Sequence, residues 1–179
     1  MRVRCRSVLT MATAVVVAAS AVPAVADNTA PTTLTFHVQQ TDGLNITAPS
    51  TSDLPIAAAP GFQTSGPFGQ VDVTDQRSAL NASWTATVES TDFKTGGGTP
   101  AETIPASDVN YSPGAAINPI NGPFTPGTPG NLGSSPMTAF RHPSGSGDNS
   151  VGWNPTLLVS VPSNAVVGTY TGTITHSVA

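Results

Sequence analysis

The chain has 179 residues, of which 6 are Lys or Arg, 10 are Asp or Glu, and only one is cysteine. So few cations argue against nucleic acid or an anionic membrane surface as a partner. The lone cysteine, Cys5, rules out an internal disulfide, and its place near the N-terminus argues against thiol chemistry in the folded part.

The N-terminus has the features of an export signal. Arg2, Arg4 and Arg6 precede an apolar run over residues 8–22, and Ala24-Val25-Ala26 is a small-x-small cleavage pattern. Residues 1–26 are therefore expected to be a signal peptide, with no membrane insertion after its removal, and Asp27 to begin the exported chain. Cleavage leaves Arg77, Lys94 and Arg141 against all 10 acids, moving the net charge from -4 to −7. Residues 27–179 are enough for one domain with its own core.

In chain order, residues 34–38 alternate with Leu34, Phe36 and Val38 on one side, which predicts a first strand. Asp42-Gly43 predicts a turn and residues 44–47 a second, short strand. Pro49, Pro55 and Pro60 predict a loop over 48–69, with one edge strand near 54–58. Residues 69–75 resume strand character, with Val71, Val73 and Asp75 on one face. After a turn at 78–81, residues 83–90 form a strand with Trp84, Ala86 and Val88 opposite Thr85, Thr87 and Glu89. The glycines at 96–98 belong to a loop. No helix and no Lys-Ser/Thr follows them, so they are not a phosphate cradle.

Residues 103–111 predict one short strand containing Ile104, Val109 and Tyr111. A Gly/Pro-rich tract over about 112–150 carries seven prolines and reads as an insertion. It is either an unstructured surface segment or a binding loop pinned by Phe124, Met137 and Phe140. Residues 156–161 predict a strand with Leu157, Val159 and Val161 inward. The last strand, 169–178, places Tyr170, Gly172, Ile174, His176 and Val178 on one face and a ladder of Thr and Ser hydroxyls on the other. No helical period persists beyond the export signal. Short strands separated by turns fit a two-sheet sandwich or a partly closed barrel. The expectation is an all-β, antiparallel β-sandwich of Ig-like or Greek-key type with long Gly/Pro-rich loops.

Four stretches together resemble the WxL-domain surface proteins of Gram-positive bacteria. They are Leu34-Thr35-Phe36, the segment Val73-Thr74-Asp75-Gln76-Arg77 followed closely by Trp84, residues 108–116, and residues 157–178. The two signature tripeptides depart from the family pattern. Trp84-Thr85-Ala86 has Ala in place of Leu, and His176-Ser177-Val178 has His in place of Trp and Val in place of Leu. The resemblance implies a β-sandwich at the cell surface, attached non-covalently to peptidoglycan or to another surface protein.

The candidate binding residues are Trp84, Asp75, Arg77, Tyr170 and His176. Trp84 is either a core anchor or a platform for a sugar ring. Asp75 and Arg77 are spaced to pair, or to share a glycan or peptide ligand. His176 is either a hydrogen-bonded core residue or part of the binding role. His37, His142 and His176 lack metal-ligand spacing, the acids do not form a calcium loop, and no cofactor is expected. No nucleophile elbow or metal-binding helix motif occurs. The expected function is that of a secreted, non-enzymatic wall-associated module. One alternative is a fibre or adhesin subunit assembling through sheet edges, and another is a secreted polysaccharide hydrolase using a distant carboxylate pair.

Overall fold

The computed structural model describes residues 32–39 and 43–179. Residues 1–26, the expected export signal, lie outside the described residues, as does Asp42 of the expected first turn. The chain divides between His37 and Val38, and all the regular structure below lies C-terminal to that point. Residues 32–39 are not a strand. Leu34, Phe36 and Val38 are 83%, 77% and 79% exposed. Their alternation is real, but a strand also needs a neighbour to take up its backbone groups, and no described strand pairs with this segment.

The first half of the fold contains β1 (Leu44–Thr47), β2 (Gln63–Pro67), β3 (Val71–Asp75), β4 (Trp84–Ser90), β5 (Phe93–Lys94), β6 (Thr103–Ile104) and β7 (Val109–Ser112). Two single-turn 3₁₀ segments, Pro100–Glu102 and Ala106–Asp108, flank β6. The second half contains β8 (Ala116–Ile120), β9 (Thr125–Pro126), β10 (Gly130–Asn131), β11 (Met137–His142), β12 (Asn149–Trp153), β13 (Thr156–Ser160) and β14 (Ile174–Val178). All pairings are antiparallel. The four-stranded sheets run β1-β3-β12-β8, β10-β7-β13-β2 and β14-β4-β11-β9, and β5 pairs with β6 in a two-stranded ribbon. The protein is an all-β antiparallel sandwich, as its alternation predicts.

Several boundaries differ from the expected ones. The stretch 54–58 is not a strand, and β2 lies instead within the expected loop at 63–67. The single strand expected at 103–111 is two strands separated by a 3₁₀ turn after Pro105, which lacks the N–H a continuous ladder would use. The tract 112–150 is not an unstructured segment: it supplies β8, β9, β10, β11 and the start of β12. Its prolines fit because Pro119 and Pro126 sit on edge strands, as Pro67 does in β2. An edge strand's outer side needs no donor. The interior strands β11 and β12 contain no proline.

The last strand begins at Ile174, not at residue 169. Before it, the backbone makes an isolated bridge between Thr171 and Lys94, and the Thr173 carbonyl accepts the Thr91 N–H at 3.0 Å. Gly172 passes so close to Phe93 that an added Cβ would lie 2.7 Å from the ring.

The sheets meet over one core. β3 contributes Val71 and Val73, β4 Trp84, Ala86 and Val88, β7 Val109 and Tyr111, β12 Val151 and Trp153, and β13 Leu157. Each set is spaced by two, as a strand with one buried face requires. β11 breaks that rhythm: both Ala139 and Phe140 are buried, because the register with β4 shifts between Thr138 and Phe140. This bulge turns Phe140 onto Trp153, with ring centroids 4.9 Å apart and planes at 19°. The Ala139 carbonyl accepts a hydrogen bond from Gly127 N–H at 2.9 Å. Only glycine fits at 127, since a Cβ there would overlap the Thr138 carbonyl. Among the described residues, no helix is long and apolar enough to cross a membrane.

Candidate functional site

Three of the five candidate residues converge on one buried polar chain. Asp75, 1% exposed, ends β3, and Arg77 follows two residues later. The Arg77 guanidinium donates from Nε to Asp75 Oδ1 and from an η nitrogen to Oδ2, both at 2.8 Å, in a two-pronged ion pair. The Arg77 backbone N–H also donates to Oδ1 at 3.1 Å. Asn149, at the start of β12, donates its amide to Asp75 Oδ2 at 3.1 Å and accepts the Trp84 indole N–H at 2.8 Å. The hydrogen bond from the Arg77 side chain is the main cause that holds the Asp75 carboxyl below its ordinary range. The Arg77 backbone and Asn149 help, while burial opposes them. Arg77 is raised in turn by the same partner.

This arrangement decides what Trp84 can do. Its ring is 3% exposed and packs against Phe124, at 5.9 Å, and His142, at 6.1 Å, which lie 4.9 Å from each other. A platform for a sugar needs a free ring face, and Trp84 has none, so it takes the place of a core anchor. Asn149 went unrecognised in the sequence because it lies at the end of the Gly/Pro-rich tract. Only its spacing of two from Val151 and four from Trp153 marks it as inward-facing. Beyond it, Ser78 N–H and Oγ both bond to Asp148 Oδ1, at 3.0 and 2.9 Å, which ties the turn after Arg77 to the turn before β12. Ser78 holds a left-handed φ of 50° there.

His176 belongs to a second chain. Trp153 Nε1–H donates to the Tyr111 hydroxyl at 3.0 Å, and that oxygen lies 3.0 Å from His176 Nε2. An indole nitrogen can only donate, so the Tyr111 oxygen accepts from Trp153 and shares a second hydrogen bond with His176 Nε2. The other ring nitrogen, Nδ1, has no protein partner among the described residues. Burial lowers the His176 pKa to about 4 and pushes the Tyr111 phenol well above its ordinary value. Phe68 lies against the imidazole at 5.4 Å.

His142, 1% exposed, shows the mirror pattern. Its Nδ1–H donates to the Pro123 carbonyl at 2.8 Å, and its Nε2 faces the Gly145 backbone unpartnered. Tyr170 joins neither chain. It lies before β14, and its hydroxyl donates to the Val166 carbonyl at 2.8 Å, pinning a loop. Among the described residues, no three His, Cys, Asp or Glu side chains gather closely enough to hold a metal ion.

With Trp84 inside and His176 half-buried, the surface that these strands offer is the opposite face of the β14-β4-β11-β9 sheet. The register aligns Arg141 with Thr85, Thr138 with Thr87 and then Ser177, and Glu89 with Thr175. Thr85, Thr138, Arg141, Thr175 and Ser177 are exposed there. This is a flat field of hydroxyls with one guanidinium and one carboxylate. It can hydrogen-bond a polyhydroxylated or amide-bearing polymer.

No protein-family model matches the sequence, and no curated protein matches it. Among solved structures, a family 123 glycoside hydrolase from Clostridium perfringens, studied for glycolipid glycan hydrolysis, is similar with a TM-score of 0.34 and 16% identity. The match covers 75% of this chain and 24% of that one, so the chain spans about a quarter of that protein's length. A likeness at this level carries no inference about function.

Proposed function

We infer that the protein is a secreted, non-enzymatic surface module related to WxL domains, which associates non-covalently with the peptidoglycan wall or with a surface protein complex. The observation that carries this reading is the pairing of the two signature segments. Trp84-Thr85-Ala86 on β4 and His176-Ser177-Val178 on β14 lie side by side, with Val178 opposite Ala86 and a reciprocal pair of backbone bonds between Thr85 and Ala179 at 2.8 and 3.1 Å. Segments some ninety positions apart that resemble one family's paired signature thus come together as neighbouring strands. The signature side chains face inward and build the sandwich, so the binding role falls to the hydroxyl face behind them.

Sedimentation with purified peptidoglycan sacculi tests the reading. The chain is expected to pellet with sacculi and to be released by high salt or denaturant without digestion of the wall. Arg141→Glu, an exposed change on the hydroxyl face, is expected to weaken pelleting several-fold while leaving the fold intact. A chain that stays in the supernatant at every salt concentration, with no surface protein retaining it, overturns the reading. So does release of soluble wall fragments by the chain, which would make it a hydrolase.

A further inference from the structure

We propose that the segment 34–38 is a donor strand that adds to the outer edge of β14 in a second copy of the chain, so that copies join head to tail. The inference does not depend on wall binding. It begins with the two sides of β14. Thr173, Thr175, Ser177 and Ala179 turn their backbone groups toward β4, as the bonds Thr91 N–H to Thr173 O and the reciprocal Thr85–Ala179 pair establish. In an antiparallel ladder the alternate residues then point the other way. The N–H and C=O groups of Ile174, His176 and Val178 therefore face outward from the sheet edge. No described strand pairs with that side: β1 passes nearby but is registered wholly to β3. The side chains of the same three residues are only half-buried, so the edge is also apolar on its inner face.

Natural sheets usually blunt such an edge with proline, charge or brevity. Here β2, β8 and β9 carry Pro67, Pro119 and Pro126, β10 has only two residues, and β1, an edge that also lacks proline and charge, is shorter at four residues. By contrast, β14 has five residues, no proline and no charged side chain. The occupant is argued from the same chain. Leu34-Thr35-Phe36-His37-Val38 is also five residues long, free of Asp, Glu, Lys and Arg, and alternately apolar. It leaves Leu34, Phe36 and Val38 between 77% and 83% exposed, without a strand partner. Added beside β14, it would satisfy the outward groups of Ile174, His176 and Val178 and lay its three apolar side chains over theirs, which is the usual mode of strand addition. Each chain carries one donor and one acceptor, so the contact is heterologous and builds open chains or closed rings.

Sedimentation velocity of the full chain across a concentration series, paired with residue-resolved amide exchange, tests the proposal. Association is expected to rise with concentration. As it does, the amides of Ile174, His176 and Val178 should pass from fast to slow exchange, while those of Thr175 and Ser177 stay slow throughout. Phe36→Asp alters a side chain that is already in solvent, so the fold should survive, and association should weaken about 100-fold as the buried ring is lost and a charge is brought into the seam. A chain that stays monomeric at all concentrations overturns the proposal, as does assembly unchanged by Phe36→Asp. Slow exchange of the Ile174, His176 and Val178 amides in dilute monomer would also overturn it, because the edge would then already be occupied.

Discussion

The two polar chains in the core, one around Trp84 and one around His176, are built from the same parts but end differently. In each, an indole N–H on one strand donates to a polar group on another element: Trp84 to Asn149, and Trp153 to Tyr111. The first chain runs on through Asp75 to Arg77, a cation with one side in solvent, so its last charge is partnered and hydrated. The second stops at His176, whose Nδ1 has no protein partner among the described residues. A buried polar chain ending in a partnered charge resists disruption. One ending in a neutral imidazole can be broken by a single proton. The two ends of the sandwich should therefore fail under different conditions.

The largest effect should come from cutting the first chain at its link. Asn149→Ala leaves the Trp84 N–H and one oxygen of a buried carboxylate without their partners, and should cost about 3–5 kcal/mol. Urea unfolding reads this directly, and a loss below 1 kcal/mol would mean that water replaces the amide and the chain is not closed.

The pH dependence separates the two ends. His176 titrates at about 4 when folded and near its ordinary value of 6.5 when unfolded, so between those values the unfolded chain binds more protons. Stability should fall as pH drops from 6.5 to about 4, by at most about 3 kcal/mol, less whatever solvent at the sheet edge screens. Asp75 is shifted below its ordinary value of 3.8, so its contribution is complete above that pH and is lost only as pH falls further, through the folded value. In a thermal-melt series, His176→Gln, which keeps an acceptor for Tyr111, should flatten the upper window and spare the lower one. Should the upper window keep its slope in that variant, the contrast between the two ends fails.

The smallest effect belongs to a residue outside both chains. Tyr170→Phe removes the hydroxyl that donates to the Val166 and Ala101 carbonyls, at 2.8 and 3.2 Å, and should cost about 1 kcal/mol with no change in either pH window. A larger loss would mean that the loop before β14 is coupled to the His176 end.

Much of this frame could be read from the chain. The alternation of Val71, Val73 and Asp75, and that of Trp84, Ala86 and Val88, located β3 and β4, and the two-residue spacing of Asp75 and Arg77 anticipated their ion pair. What could not be read depends on partners distant in sequence. β8 and β9 contain prolines and become strands only because each is an edge, which local composition cannot reveal. The bulge in β11 hides Phe140's inward orientation, since the period of two is broken at Ala139. Residues 34–38 show the reverse case: a clean strand pattern with no described neighbour to complete it. Tyr170 seemed to share a face with His176 because the alternation was extended across Gly172, where the chain in fact turns past Phe93.

The strand order also sets the tempo of folding. Gln63 on β2 bonds to Ser160 on β13, 97 residues away, and the Trp84–Asn149 and Asp75–Asn149 bonds span 65 and 74 residues. Few native contacts can form early, so each gain in burial must wait for a long loop to close, and relaxation on the millisecond-to-second scale is the expectation for such a topology. A chain emerging from its N-terminus presents β4 with its inner face open until β11 has been made, and its outer flank open until β14, the last strand, arrives.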